Sequence, residues 1–134
     1  MDSNKYEALR VSAARNSWLA RLMNSWARLL QDKKTLVSYF KKRNYEKIAI
    51  YGFGMVGETL ERELRSAGIK VAYIVDRNAE YMYSSTKMVN AADDFEAVDV
   101  MVVTAFDASG AVINGLREKC NFKVISIDDV IRET

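Results

Sequence analysis

Lys47-Ile48-Ala49-Ile50-Tyr51-Gly52-Phe53-Gly54-Met55-Val56-Gly57 decides the fold of this 134-residue chain. Its first five residues form a short apolar, β-branched run of the kind that makes a strand buried on both faces. The strand leads directly into Gly-x-Gly-x-x-Gly. A helix follows, with Val56, Leu60 and Leu64 on one face and Glu58, Glu61, Arg62, Glu63 and Arg65 expected toward water. Gly68 reads as its C-terminal stop. A second strand, Val71-Ala72-Tyr73-Ile74-Val75, ends in Asp76, 19 residues after Gly57. An acid about 20 residues on is the spacing that a dinucleotide site uses.

The residue types fit that chemistry. Gly52 permits the tight turn out of the strand, Gly54 lets main chain approach a pyrophosphate, and Gly57 lets the helix sit close to the strand. Phe53, Met55 and Val56 complete the turn, and the N–H groups at the helix start face the phosphates. Asp76 is expected to accept hydrogen bonds from ribose hydroxyls. The adjacent Arg77 could take a 2′-phosphate or stack on adenine, but Asp76 repels that phosphate, so NAD is favoured over NADP. A Walker-type loop would need a lysine where Gly57-Glu58-Thr59 has none. A methyltransferase loop would usually show an acid near the end of the first strand, where this chain has Tyr51. The competing reading is a Rossmann-shaped fold whose glycines serve packing alone.

Beyond Arg77 a polar stretch, Asn78 to Glu96, carries one short strand at Lys87-Met88-Val89. Val98 to Thr104 is the next strand, followed by a helix over Ala108 to Lys119 with Val112, Ile113 and Leu116 facing inward. Phe122 to Ile127 is the last strand, and Asp128 or Asp129 is expected to cap a final short helix. Alternating strands and helices predict an α/β, Rossmann-like three-layer αβα fold with about five parallel strands in the order 3-2-1-4-5. Ligands of such sheets bind at the switch between strands 1 and 4, so Thr104, Ala105 and Phe106 should border the glycine turn. Tyr83-Ser84-Ser85-Thr86-Lys87 matches the Tyr-x-x-x-Lys pair of short-chain dehydrogenases. It lies after the second strand rather than on a late helix, so it is read as a coincidence.

Residues 1–47 hold eleven Lys and Arg against four Asp and Glu, a net of +7, and residues 48–134 carry a net of −5. The chain is thus divided into a basic helical extension (1–46) and a nucleotide-binding domain (47–134). In the extension Trp18, Leu19, Leu22, Met23, Trp26, Leu29 and Leu30 recur at helical spacing from about Tyr6 to Gln31. Arg10, Arg15, Arg21 and Arg28 are expected largely off that stripe. Thr35 reads as the N-cap of a second helix, ending at Asn44. The stripe is expected to pack on its own domain, or to form a homodimer or hold a partner subunit. An anionic membrane surface is a lesser alternative for this basic helix, and scattered arginines without aromatic interleaving on the same face make only a weak nucleic-acid signal.

The chain has no histidine and one cysteine, Cys120. That excludes imidazole metal sites, Ser-His-Asp triads, intrachain disulfides and zinc sites built on cysteines. No apolar run approaches the roughly 20 residues of a transmembrane helix. Met1-Asp2-Ser3-Asn4-Lys5 has no signal-peptide layout, so a cytoplasmic location is expected. A chain this short, lacking histidine, is read as non-catalytic on its own.

From Lys47 onward the chain resembles the small Rossmann modules attached to bacterial surface-polysaccharide and sugar-modifying enzymes. Such modules sit beside nucleotide-sugar dehydratases, sugar O-acyltransferases and sugar C-methyltransferases. The resemblance rests on Ile48 to Gly57, on Val75-Asp76-Arg77-Asn78, on Val98 to Thr104 and on Val124 to Val130. It covers about two-thirds of the chain. It implies that Gly52, Gly54, Gly57 and Asp76 form a nucleotide or nucleotide-sugar pocket, and it implies no catalysis. The alternatives are an interaction or dimerisation module with a vestigial nucleotide site, and a minimal NAD-dependent oxidoreductase using Tyr, Lys or Asp for proton transfer.

Overall fold

A computed structural model of the chain describes residues 3–82 and 84–134. Met1, Asp2 and Tyr83, and with them the Tyr-x-x-x-Lys match, lie outside the described residues. The elements run α1 (Ser3–Gln31), α2 (Val37–Lys42), β1 (Ile48–Tyr51), α3 (Met55–Ser66), β2 (Tyr73–Asp76) and β3 (Met88–Asn90). They continue with β4 (Val100–Val103), α4 (Ala111–Lys119), β5 (Lys123–Ser126) and α5 (Ile127–Arg132). All five strands pair in parallel, in the order β3-β2-β1-β4-β5. The α/β fold and the strand order are those the sequence predicts.

Alternation along the strands sorts the core into two halves. Ile48, Ile50, Ile74, Val100, Val102 and Ile125 point to one face, where residues of α1, α2, α3 and α5 cover them. Ala49, Tyr73, Val75, Met101, Val103 and Val124 point to the other, under α4 and the 91–99 connection. In that connection Phe95 packs on the second face, and the Tyr73 hydroxyl donates to the Glu96 carbonyl at 2.6 Å. Burial is the main cause that pushes the Tyr73 hydroxyl up to about 12, with Cys120 and Glu96 adding to it.

The basic extension belongs to the first core. Leu22 and Trp26 of α1 and Val37, Tyr39 and Phe40 of α2 are buried together with Ile48, Leu60 and Ile127. The stripe from Trp18 to Leu29 therefore packs on the body of its own chain, whereas Leu30 is left half exposed. Two carboxylates fasten this packing. Trp18 Nε1 lies 3.1 Å from both carboxylate oxygens of Asp128, and Trp26 Nε1 donates to Glu63 Oε1 at 3.2 Å. Each indole N–H, which cannot be buried without a partner, thus meets a charged acceptor. Among the described residues no helix is long and apolar enough to cross a membrane.

Several local expectations are corrected. Glu63, expected toward water, is partly buried, and its second oxygen accepts the Leu36 N–H at 2.9 Å. Leu36 rather than Thr35 is the N-cap residue of α2, and no side chain caps the helix. The final helix starts earlier than its acids suggest, because Ser126 is its N-cap and accepts the Asp129 N–H at 3.2 Å. Helix α4 starts at Ala111 rather than Ala108, since Asp107 reaches forward to accept the N–H groups of Val112 and Ile113. Asn44 stops α2 at φ 58° as expected, but α1 ends on Lys33 at φ 60°, a left-handed position without the usual Gly or Asn.

Removing Glu63 strands two donors at about 1–3 kcal/mol each. Glu63→Ala should lower Tm by about 5–10 °C, against almost no change for the exposed Glu118→Ala, as read by circular dichroism. The raised Tyr73 pKa gives a second expectation. Its hydroxyl stays neutral in the folded state when the unfolded chain, near pH 10, already ionises. Stability is full below pH 10 and lost as pH rises toward about 12. Denaturant titrations of Tyr73→Phe should show a flatter alkaline decline over that interval.

Candidate functional site

The site starts from the hydrogen bonds of β1. Tyr51 pairs with Val75 on one side and Val103 on the other, which sets the ends of three strands side by side. Gly52 N–H then donates to Val75 O at 2.7 Å, and Thr104 N–H donates to Tyr51 O at 2.9 Å. Gly52 turns the chain out of the sheet at φ +101°, a region that side chains with a Cβ seldom enter. The Thr104 hydroxyl sits 2.7 Å from Gly52 O and 3.0 Å from Tyr51 O, holding the turn from the β4 side.

Helix α3 leaves this turn with Gly54 as its N-cap residue. Its first turn leaves the N–H groups of Met55, Val56 and Gly57 without intrahelical acceptors. Gly57 fixes how closely the helix crosses the turn, since a Cβ there would stand 2.2 Å from Gly52 O. Gly54 is the opposite case, with nothing within 4 Å of its would-be Cβ. The fold needs Gly52 and Gly57, and Gly54 faces open space at the helix start.

A cavity of about 260 Å³ lies over that space. Gly52, Phe53, Gly54, Met55, Val56, Asp76, Thr104, Ala105 and Phe106 all border it. The structure thus brings together eight of the ten predicted site residues, plus Phe106. Gly57 lies beneath the turn, and Arg77 is exposed and is not part of the lining.

Asp76 is engaged differently from the expectation. One oxygen accepts the Phe53 N–H at 2.9 Å and the other accepts the Asn78 N–H, also at 2.9 Å. The carboxylate therefore braces the glycine turn itself. Each oxygen keeps a second lone pair with which it can accept a hydroxyl.

The remaining wall comes from α1. Arg15, Asn16, Trp18 and Leu19 line the cavity opposite the glycines. Arg15 is the one basic side chain among the described lining residues, beside the negative charge of Asp76. It was expected off the apolar stripe, yet it precedes Trp18, Leu19 and Leu22 by three, four and seven residues, which places it on the same face. That spacing was the available signal.

The Trp18 ring lies 5.5 Å from that of Phe106, centroid to centroid. The pair stands between this cavity and one of about 610 Å³ beyond the ends of β4 and β5, which shares Trp18, Ala105 and Phe106 as a wall. In the larger cavity Asp107 is occupied in starting α4, Asp128 in holding Trp18, and Arg117 in bonding Val124 O at 3.1 Å. The open strand ends and unpaired helix N–H groups can hold an anion, and the larger cavity can extend the same groove.

Comparison with protein-family models, curated proteins and solved structures finds no match. The fold and the groove therefore define the class, an α/β protein with a glycine turn at the switch point of a parallel sheet.

The two glycines should separate in mutagenesis. Gly57→Ala forces backbone apart and should cost about 1–3 kcal/mol or more. Gly54→Ala should leave the stability within about 0.5 kcal/mol of the parent. Urea unfolding of both variants checks the contrast.

Proposed function

We propose that this chain is a non-catalytic module that binds NAD(H) or a nucleotide-sugar through a diphosphate held on the glycine turn. By its resemblance, the service is to bacterial surface-polysaccharide or sugar metabolism. The observation that carries this reading is the open space at Gly54, facing the unpaired N–H groups of a helix start and bordered by Asp76 and Arg15. Backbone donors and a helix dipole favour an anion there. Arg15 adds a positive charge, and Asp76 can take a ribose hydroxyl on its free lone pairs.

Size bears on the ligand. A cavity of about 260 Å³ is at the lower edge of the roughly 300–1,000 Å³ that small-molecule sites occupy. It suits a diphosphate with its adjoining ribose. A whole dinucleotide needs the adjoining cavity too, past Trp18 and Phe106.

One observation favours a second reading. Both Asp76 oxygens already accept main-chain N–H groups, which is also what a glycine turn kept only for packing would use. In that case the module serves interaction, and the nucleotide site is vestigial.

Thermal shift separates the two. A ligand at about 100 times its Kd adds about 2.7 kcal/mol, several degrees in Tm for a chain of this size. NAD should produce that shift, NADP a smaller one, and S-adenosylmethionine none, with UDP-sugars as the parallel arm. Gly54→Val should abolish the shift without lowering the unliganded Tm, and Arg15→Ala should reduce it. No response to any dinucleotide or nucleotide-sugar refutes the site and leaves the interaction reading.

A further inference from the structure

Helix α1 has a second face that its own chain leaves largely exposed. Residues 3–11 are all exposed, beyond the part of the helix seated on the body. Tyr6 and Leu9 are 60% and 55% exposed there, and Leu30 at the far end is 49% exposed. These three fall on one line of alternating three- and four-residue steps with Met23, whose inner edge packs on the chain's own core. Ala13, Ala20 and Ala27 occupy three of the remaining positions on that line, all exposed, and Asn16 takes the last. The line is a 3-4 repeat maintained over four heptads, the signature of a coiled-coil seam. It points largely away from the face formed by Trp18, Leu22 and Trp26, because the mean directions of the two sets lie about 140° apart at 100° per residue.

We propose that this seam pairs antiparallel with the same seam of a second copy of the chain. The pattern complements itself about a two-fold axis near residue 18. Leu9 then meets Ala27, Ala13 meets Met23, and Tyr6 meets Leu30 at either end. A large side chain faces an alanine in both inner apolar layers, which lets the helices approach closely without leaving voids. Asn16 faces Ala20 across the centre, and the two Asn16 amides come within about one helical turn of each other, a polar pair suited to fixing register.

The parallel alternative is poorer on both counts. It stacks Ala13, Ala20 and Ala27 on themselves and leaves gaps in three layers. It also sets Lys5 beside Arg10 of the second copy, a like-charge pair at the flanking positions that select partners. In the antiparallel register Arg10 faces Asn24 and Gln31 instead. The overhanging N-terminal turns gain most, since each packs on the anchored half of the other helix. Alone, a free helical segment of this length is marginal in water.

The area sets the expected strength. A strip about 36 Å long and about 10 Å wide has a footprint on the order of 400 Å² per copy. That is below the roughly 800 Å² per partner of a standard stable interface. The dimer should be reversible and concentration-dependent.

Sedimentation equilibrium of the full chain from about 1 μM to about 1 mM should show a monomer giving way to a dimer. Leu9→Glu should weaken association about tenfold or more, with the far-ultraviolet spectrum and Tm of the dilute protein unchanged, because Leu9 touches nothing in its own body. Orientation is read in a Cys120→Ser background. Leu9→Cys combined with Ala27→Cys should oxidise to a covalent dimer, since the two positions lie about 27 Å apart on one helix and cannot close on themselves. Ala13→Cys alone should not cross-link, because its own copy lies about 15 Å away along the pair. A monomer throughout, or efficient cross-linking by Ala13→Cys alone, overturns the proposal. Neither result depends on whether a nucleotide binds.

Discussion

The contact between Gly57 and the Gly52 carbonyl sets the geometry on which the rest of this molecule depends. A single methyl group at residue 57 would stand 2.2 Å from that oxygen. Helix α3 can therefore cross directly over the turn that leaves β1. The closeness aims the start of α3 at the ends of β1 and β4 and buries Val56, Leu60 and Leu64 against Ile48 and Ile50. Thr104 and Asp76 clamp the same turn from the two neighbouring strands, one through its hydroxyl and the other through a carboxylate. The notch is thus rigid on three sides, and its shape is decided by main chain.

The fourth side is supplied by the basic extension. Its two tryptophans carry both kinds of attachment, since each buries apolar ring and gives its N–H to a carboxylate of the acidic body. Asp128 and Glu63 sit on different helices, so α1 is held at two points along its length. That places Arg15 over the glycine turn and Trp18 against Phe106. The charge asymmetry between the two parts of the chain has a local meaning here, because a positive helix lies across the ends of strands that present Asp76, Asp107 and Asp128.

The elements of the fold were legible because their signals are local. Ile48 to Tyr51 with the glycines behind them, the strand ending in Asp76, and the apolar run at Val100 to Val103 each carry their own period and punctuation. Parallel strands with short connections then leave few orders to choose from. Eight of the ten residues expected at the site line one cavity for the same reason, since the ends of adjacent strands must meet. Arg77 does not join them. One residue past the strand, its direction depends on the turn that Asp76 makes with Asn78.

By itself the sequence determined the parallel sheet, its order, and the turn at residues 52–57, because period, glycine and chain direction act over a few residues. Only the tertiary structure decided which carboxylates are structural. Glu63, Asp76 and Asp128 look alike in sequence to any surface acid, and each is claimed by a donor 23 to 110 residues away. Long-range partners of this kind leave no periodic trace. The same reason hid the role of Arg15, whose place over the turn follows from where the α1 stripe docks.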